Sequence, residues 1–118
     1  MYDKAIQDHY PVETSHCYGC GYSNRDGHRL KSYWNGTAAA ARYTPDNAHM
    51  AVPGYVYGGL LASLIDCHGT ATAAASMCRA RGRELADVPL PRFVTASLTV
   101  DFHAPTPLGP ELELLGEA

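Results

Sequence analysis

The sequence is short of several things that would decide its class at once. Nine Lys and Arg against twelve Asp and Glu leave a formal net charge of −3 over 118 residues, so no broad positive field exists to draw in nucleic acid or an anionic membrane surface. No apolar run approaches the ~18 residues of a spanning helix, because the one after Gly58 is broken by Ser63, Asp66, His68 and Thr70. The opening MYDKAIQDHY has no basic-then-apolar export pattern. The expectation is a cytoplasmic protein with neither nucleic acid nor membrane as partner. Repeats and low-complexity tracts are absent too, and the length suits one domain.

Cysteine is scarce: Cys17, Cys20, Cys67 and Cys78 are too few and too unevenly placed for a secreted disulfide scaffold. Reduced thiols are expected. Cys17-Tyr18-Gly19-Cys20 has the spacing of half a zinc site, which His9, His16 or His28 could complete. A structural zinc site usually recruits a second closely spaced ligand pair, however, and Cys67 and Cys78 do not make one. The segment reads as a Gly-rich turn, and no metal is expected.

What is present falls into a clear order. Residues 1–16 show no period, and Pro11 opposes one continuous helix through them, so an arm or a short helix is expected. CYGCGYSNRDGHRL is dense in turn formers. Two short apolar runs flank Asn35-Gly36, a dipeptide suited to a type I′ turn, which predicts a β-hairpin from about Leu30 to Tyr43. From Gly58 to about Arg81, residues Leu61, Leu64, Ile65, His68 and Thr72 recur at helical spacing, with leucine and alanine on most other faces. Such a helix should be enclosed on nearly all sides, with Gly82 as its stop. FVTASLTVDFH alternates, Val94, Ala96, Leu98, Val100 and Phe102 opposite Thr95, Ser97, Thr99, Asp101 and His103, and is the strongest strand pattern in the chain. ELELLGEA begins a further strand. An antiparallel sheet wrapped around one long central helix satisfies this order, an α+β architecture occupying residues 17–118.

Asp66 stands in the middle of that apolar helix, and burying an ionised carboxylate costs several kcal/mol unless it is paired or solvated. Either Asp66 has a chemical task or it emerges at the helix surface and is satisfied by a hydroxyl such as Ser63 or Thr70. Gly58 and Gly59 open the helix, where unpaired backbone N–H groups can receive developing negative charge, unless the pair serves only close packing of the loop. If both ends are catalytic they cannot serve one carbon within one chain: eight residues at ~1.5 Å each set Gly58 and Asp66 ~12 Å apart. Two subunits would then share each site.

CYGCGYSNRDGHRL, PGYVYGGLLASLID and RFVTASLTVDFHAPTPLG together resemble the hotdog-fold acyl-CoA thioesterases of the PaaI-like group, over about Cys17 to Ala118. The resemblance implies a homodimer or a tetramer built from dimers, with sites at the subunit interface. It implies an acyl-CoA substrate, with coenzyme A as part of that substrate and no further cofactor. The family's acid follows the first residue of its His-Gly-Gly motif by nine positions, which is Asp66 counted from Tyr57; it acts as general base or as nucleophile. Gly58 matches the oxyanion donor, with Gly59 beside it, and Thr95 the hydroxyl that places the attacking water. His49 and Asn47, in the loop before the helix, are candidates for binding the thioester oxygen or the water. Tyr57 replaces the motif's histidine, which leaves any imidazole role there lost or passed to the phenol. His103-Ala104-Pro105 stands where relatives often carry an Arg that meets a coenzyme A phosphate, and Arg79 and Arg81, with Arg83 and Arg92, are the alternatives. About four strands are found where the fold usually has five or six, so the final two are expected to be missing. A non-catalytic acyl-CoA-binding or assembly module, and a hotdog dehydratase or hydratase, are the competing readings.

Overall fold

The computed structural model describes residues 4–87 and 89–118. Two 3-10 turns, Ile6–His9 and Val12–Thr14, lead the chain in, and Ala5, Ile6, Gln7 and Tyr10 are buried. The sheet is antiparallel and three-stranded, in the order β1 (Ser32–Trp34), β2 (Ala39–Tyr43), β3 (Leu112–Gly116). Ser32 lies opposite Ala41 and Trp34 opposite Ala39, while Ala39 also pairs with Gly116 and Tyr43 with Leu112. One long helix, α1 (Gly58–Ala80), packs across its inner face.

The alanines that weaken the strand signal of β2 have a packing reason. Ala39 is buried in one cluster with Ala71, Ala74 and Ala75 of α1, so small side chains on both surfaces bring helix and sheet close together. The approach is closest at Gly116, where an added Cβ would lie 2.4 Å from Thr72 Oγ1. A second cluster joins Leu60, Leu64 and Cys67 of α1 to Cys20, Leu30, Ala41 and Val56. Arg81 caps the helix and Gly82, at φ +72°, turns the chain away from it, as its position predicts.

Four expectations need correction. The Asn35-Gly36 connection is not a two-residue type I′ turn, which needs positive φ at both central residues: only Gly36 has it, at +106°. Instead the Asn35 side chain accepts hydrogen bonds from the N–H groups of Thr37 and Ala38, closing a longer loop over residues 35–38. The helix is not enclosed on nearly every side, since Ile65 is 41% exposed and Gly69 is open to solvent. The strongest alternating segment, residues 93–103, forms no ladder among the described residues, and Val94 is 93% exposed. Among the described residues the strand count is accordingly three and not about four.

Candidate active site

Asp66 emerges half-buried on the face of α1 that the sheet leaves uncovered. The residues 93–98 lie against that face. The Thr95 hydroxyl donates a hydrogen bond to Asp66 Oδ1, which leaves Oδ2 for a water or a substrate carbon. A cavity of about 300 Å³ opens beside the pair, walled by Ile65, Ala73, Phe93, Val94 and Leu98. A carboxylate held from one side and bordering an apolar recess is chemically able to act as a base or a nucleophile.

A second group of candidates gathers at the helix N-terminus. Tyr57 is the N-cap residue but its side chain makes no capping hydrogen bond, so the first N–H groups, those of Gly58 and Gly59, have no intrahelical acceptor. The Tyr57 ring folds over Gly59: a Cβ there would lie 2.4 Å from a ring carbon. Phe102 reaches the same end, 3.4 Å from where a Cβ of Gly58 would be. The backbone carbonyl of His49 accepts from the Tyr57 N–H at 2.8 Å, which fixes the turn Asn47–His49 beside the helix start. The His49 ring accepts the Asp46 N–H on Nδ1 at 3.0 Å, so a neutral His49 carries its proton on Nε2. Asn47 is exposed. His49 also packs edge-on to His28, which meets Tyr18 at a tilt and Tyr43 edge-on. Burial, then the neighbouring His49, lower the pKa of His28.

Asp66 and Thr95 therefore meet, and Tyr57, Gly58, Gly59 and His49 meet, but the two groups stand on the same helix ~12 Å apart along its axis. His103 lies elsewhere, at a second cavity of about 280 Å³ between the first half of α1 and β3. Arg79 and Arg81 lie at the far end of α1, where Arg79 binds Glu84 at 2.6 Å and the carbonyl of Arg83. Within one chain they are ~20 Å or more from Asp66 along the helix.

The family whose sequence pattern matches residues 53–118 is the thioesterase superfamily. The chain belongs to it. The same stretch holds Tyr57, Gly58, Gly59, Asp66 and Thr95. A solved structure, that of a thioesterase superfamily protein from Shewanella loihica PV-4, is similar over 92% of this chain and 75% of its own, with 47% identity and a TM-score of 0.65. No curated protein matches. The long helix on an antiparallel sheet is thus the hotdog fold of this superfamily. Among the described residues no helix is long and apolar enough to cross a membrane.

Two features of this region depend on partners distant in the sequence. His68 is fully engaged: Nδ1 lies 2.8 Å from Ser32 Oγ and Nε2 3.1 Å from the Ala39 carbonyl, while the Gln7 amide donates to Ser32 Oγ and accepts the Ser32 N–H. The carbonyl can only accept, so the Nε2–H tautomer is present and Nδ1 accepts the serine hydroxyl. The other is sulfur. Cys17, Cys20 and Cys67 converge, with all three Sγ atoms within 4.8 Å of one another. Contact with the Cys67 thiol draws Cys20 down to about 6, helped by Cys17 and Arg92 against the effect of burial, and drives Cys67 upward. His9, His16 and His28 are not in this cluster.

Proposed function

We propose that the protein hydrolyses a small aryl- or alkyl-CoA thioester at sites shared between two copies of the chain. Superfamily membership supports thioester hydrolysis as the reaction class. The observation that carries the finer reading is the Asp66 carboxylate, held by Thr95 on a helix face that the sheet does not cover and open to an apolar recess. Asp66 Oδ2 takes a proton from water or attacks the thioester carbonyl itself. Either route develops charge on the carbonyl oxygen, and the N–H of Gly58 from the other copy receives it, since the ~12 Å between the groups within one copy forbids a shared carbon. Gly59 leaves the room in which the Tyr57 ring lies beside that N–H. The recess of about 300 Å³ accommodates a compact acyl group, and coenzyme A is the leaving thiol, with no other cofactor invoked.

The test is thiol release from a panel of aryl- and alkyl-CoA thioesters, with Asp66→Asn as the paired variant. The substitution keeps the shape and removes the base or nucleophile, so turnover is expected to fall by at least ~100-fold with the circular dichroism spectrum unchanged. Near-normal turnover in a folded Asp66→Asn protein would remove Asp66 from the mechanism. Binding of acyl-CoA without hydrolysis of any panel member would favour a binding module, and hydration of enoyl-CoA a hydratase.

A further inference from the structure

Cys78 shows what a filler cysteine looks like in this protein: buried alone, with its sulfur near the carbonyls of Arg83 and Glu84. The other three are arranged differently. Cys17 and Cys20 come from one turn and Cys67 from α1, about fifty positions away, yet their sulfurs face one another. Cys17 Sγ and Cys67 Sγ are 3.7 Å apart. That is too long for a disulfide, at ~2.05 Å. It matches the ~3.8 Å edge of a tetrahedron whose metal–sulfur bonds are ~2.3 Å.

The turn is built to hold this convergence. Gly21 N–H donates to the Cys17 carbonyl at 2.8 Å, and Leu30 N–H to the Gly19 carbonyl at 3.1 Å. A Cβ on Gly19 would come within 2.3 Å of Cys67 Sγ, and one on Gly21 within 2.3 Å of the Cys17 nitrogen. Any side chain at Gly19 would thus push the turn off the helix sulfur. Cys20 and Cys67 are buried while Cys17 is exposed, so the cluster is closed on its inner side and reachable from solvent on the other. No carboxylate or imidazole among the described residues joins it, and an all-sulfur donor set selects soft or borderline ions over magnesium or calcium.

We propose that Cys17, Cys20 and Cys67 form a three-thiolate site for zinc(II), with the fourth tetrahedral position open to solvent beside Cys17. Each thiol gives its proton to solvent as it binds. The half-site written in the Cys17–Cys20 spacing is completed by one residue of the helix and not by a second closely spaced pair. Because Cys67 directly follows Asp66, the ion ties the 17–20 turn to the part of α1 that carries the candidate carboxylate.

The experiment is titration of the reduced 118-residue chain with Zn2+ against a chromophoric chelator, and with Co2+ followed by visible absorption. One ion per chain is expected, with the ligand-field bands of tetrahedral thiolate cobalt and a higher unfolding midpoint in the presence of zinc. Cys20→Ser is expected to weaken binding by more than ~100-fold, beyond the usual cost of altering a group that only supports a ligand, while Cys78→Ser leaves it unchanged. Cys17→Ser, at an exposed position, makes the same test if Cys20→Ser does not fold. Failure to bind an ion stoichiometrically, binding indifferent to both substitutions, or a disulfide among these three residues in protein purified without oxygen would each overturn the proposal. None of these readouts depends on thioester hydrolysis.

Discussion

His68 shows how a residue two positions from a candidate catalytic acid can belong wholly to the fold. Its two ring nitrogens are spoken for by Ser32 and the Ala39 carbonyl, and Gln7 satisfies Ser32 in turn. The helical offset from Asp66 already turns it to another face, so its structural role was legible. Its partners were not, because they lie 36 and 29 positions away and no local pattern announces them. The ring is needed neutral, and burial lowers its pKa, with the Ala39 contact opposing. An unfolded histidine takes up its proton near pH 6.5, the folded one only at lower pH. Between the two values the unfolded state holds more protons, so stability rises with pH there. The contribution is complete above pH 6.5 and is lost as pH falls through the folded value. His9 and His28 are shifted the same way, each chiefly by burial. The urea midpoint is therefore expected to fall from pH 7 to pH 5, and the fall to be shallower in His68→Gln. Parallel slopes in the two proteins would show that His68 is not a main source.

At the scale of elements, legibility followed how local the signal is. The span of α1 was read to within a residue, because periodicity and the Gly82 stop are written in neighbouring positions. A strand is a property of a pair, and the alternation of residues 93–103 promised a ladder that no described neighbour supplies. The Cys17–Cys20 half-site looked unfinished because only folding brings Cys67 to it. The helix also sets a requirement of its own: a rigid rod holds Gly58 and Asp66 ~12 Å apart whatever the rest of the chain does. If each site takes its N–H from one copy and its carboxylate from another, Asp66→Asn subunits mixed with Gly58→Pro subunits should recover part of the lost activity. A mixed dimer has one site with both groups and one with neither. Native mass spectrometry can verify that both variants fold and exchange, and verified mixed dimers without any recovered hydrolysis would refute shared sites.

At the scale of the whole molecule, part of the exposed apolar surface gathers along one segment and the helix face beside it. Val94 is 93% exposed and Phe102 58% on the unpaired segment, and Ile65 of α1 lies open next to them. Between residues 100–104 and β3 runs the cavity of about 280 Å³, walled by Leu61, Leu64, Ile65, Leu112 and Leu114. Among the described residues only one edge of β3 is paired, with β2. An unpaired edge beside an apolar groove is a template for another strand, and each large side chain left in water forgoes ~1.5–3 kcal/mol against a total stability of only ~5–15 kcal/mol. The 118-residue chain alone is therefore expected to melt early and to scatter light as it associates through β3 and the 93–103 segment. Appending a β-hairpin of about 30 residues, room for two full strands and their turns, is expected to cover the groove, pair β3 and convert the aggregate to a dimer. The added strands bury the groove but leave Asp66 and Gly58 untouched, so any hydrolysis gained along with the dimer would come from assembly of the shared sites. If the 118-residue chain instead melts cooperatively as a soluble, active dimer, the open edge is already satisfied by a second copy, and residues 93–103 are its first place to look.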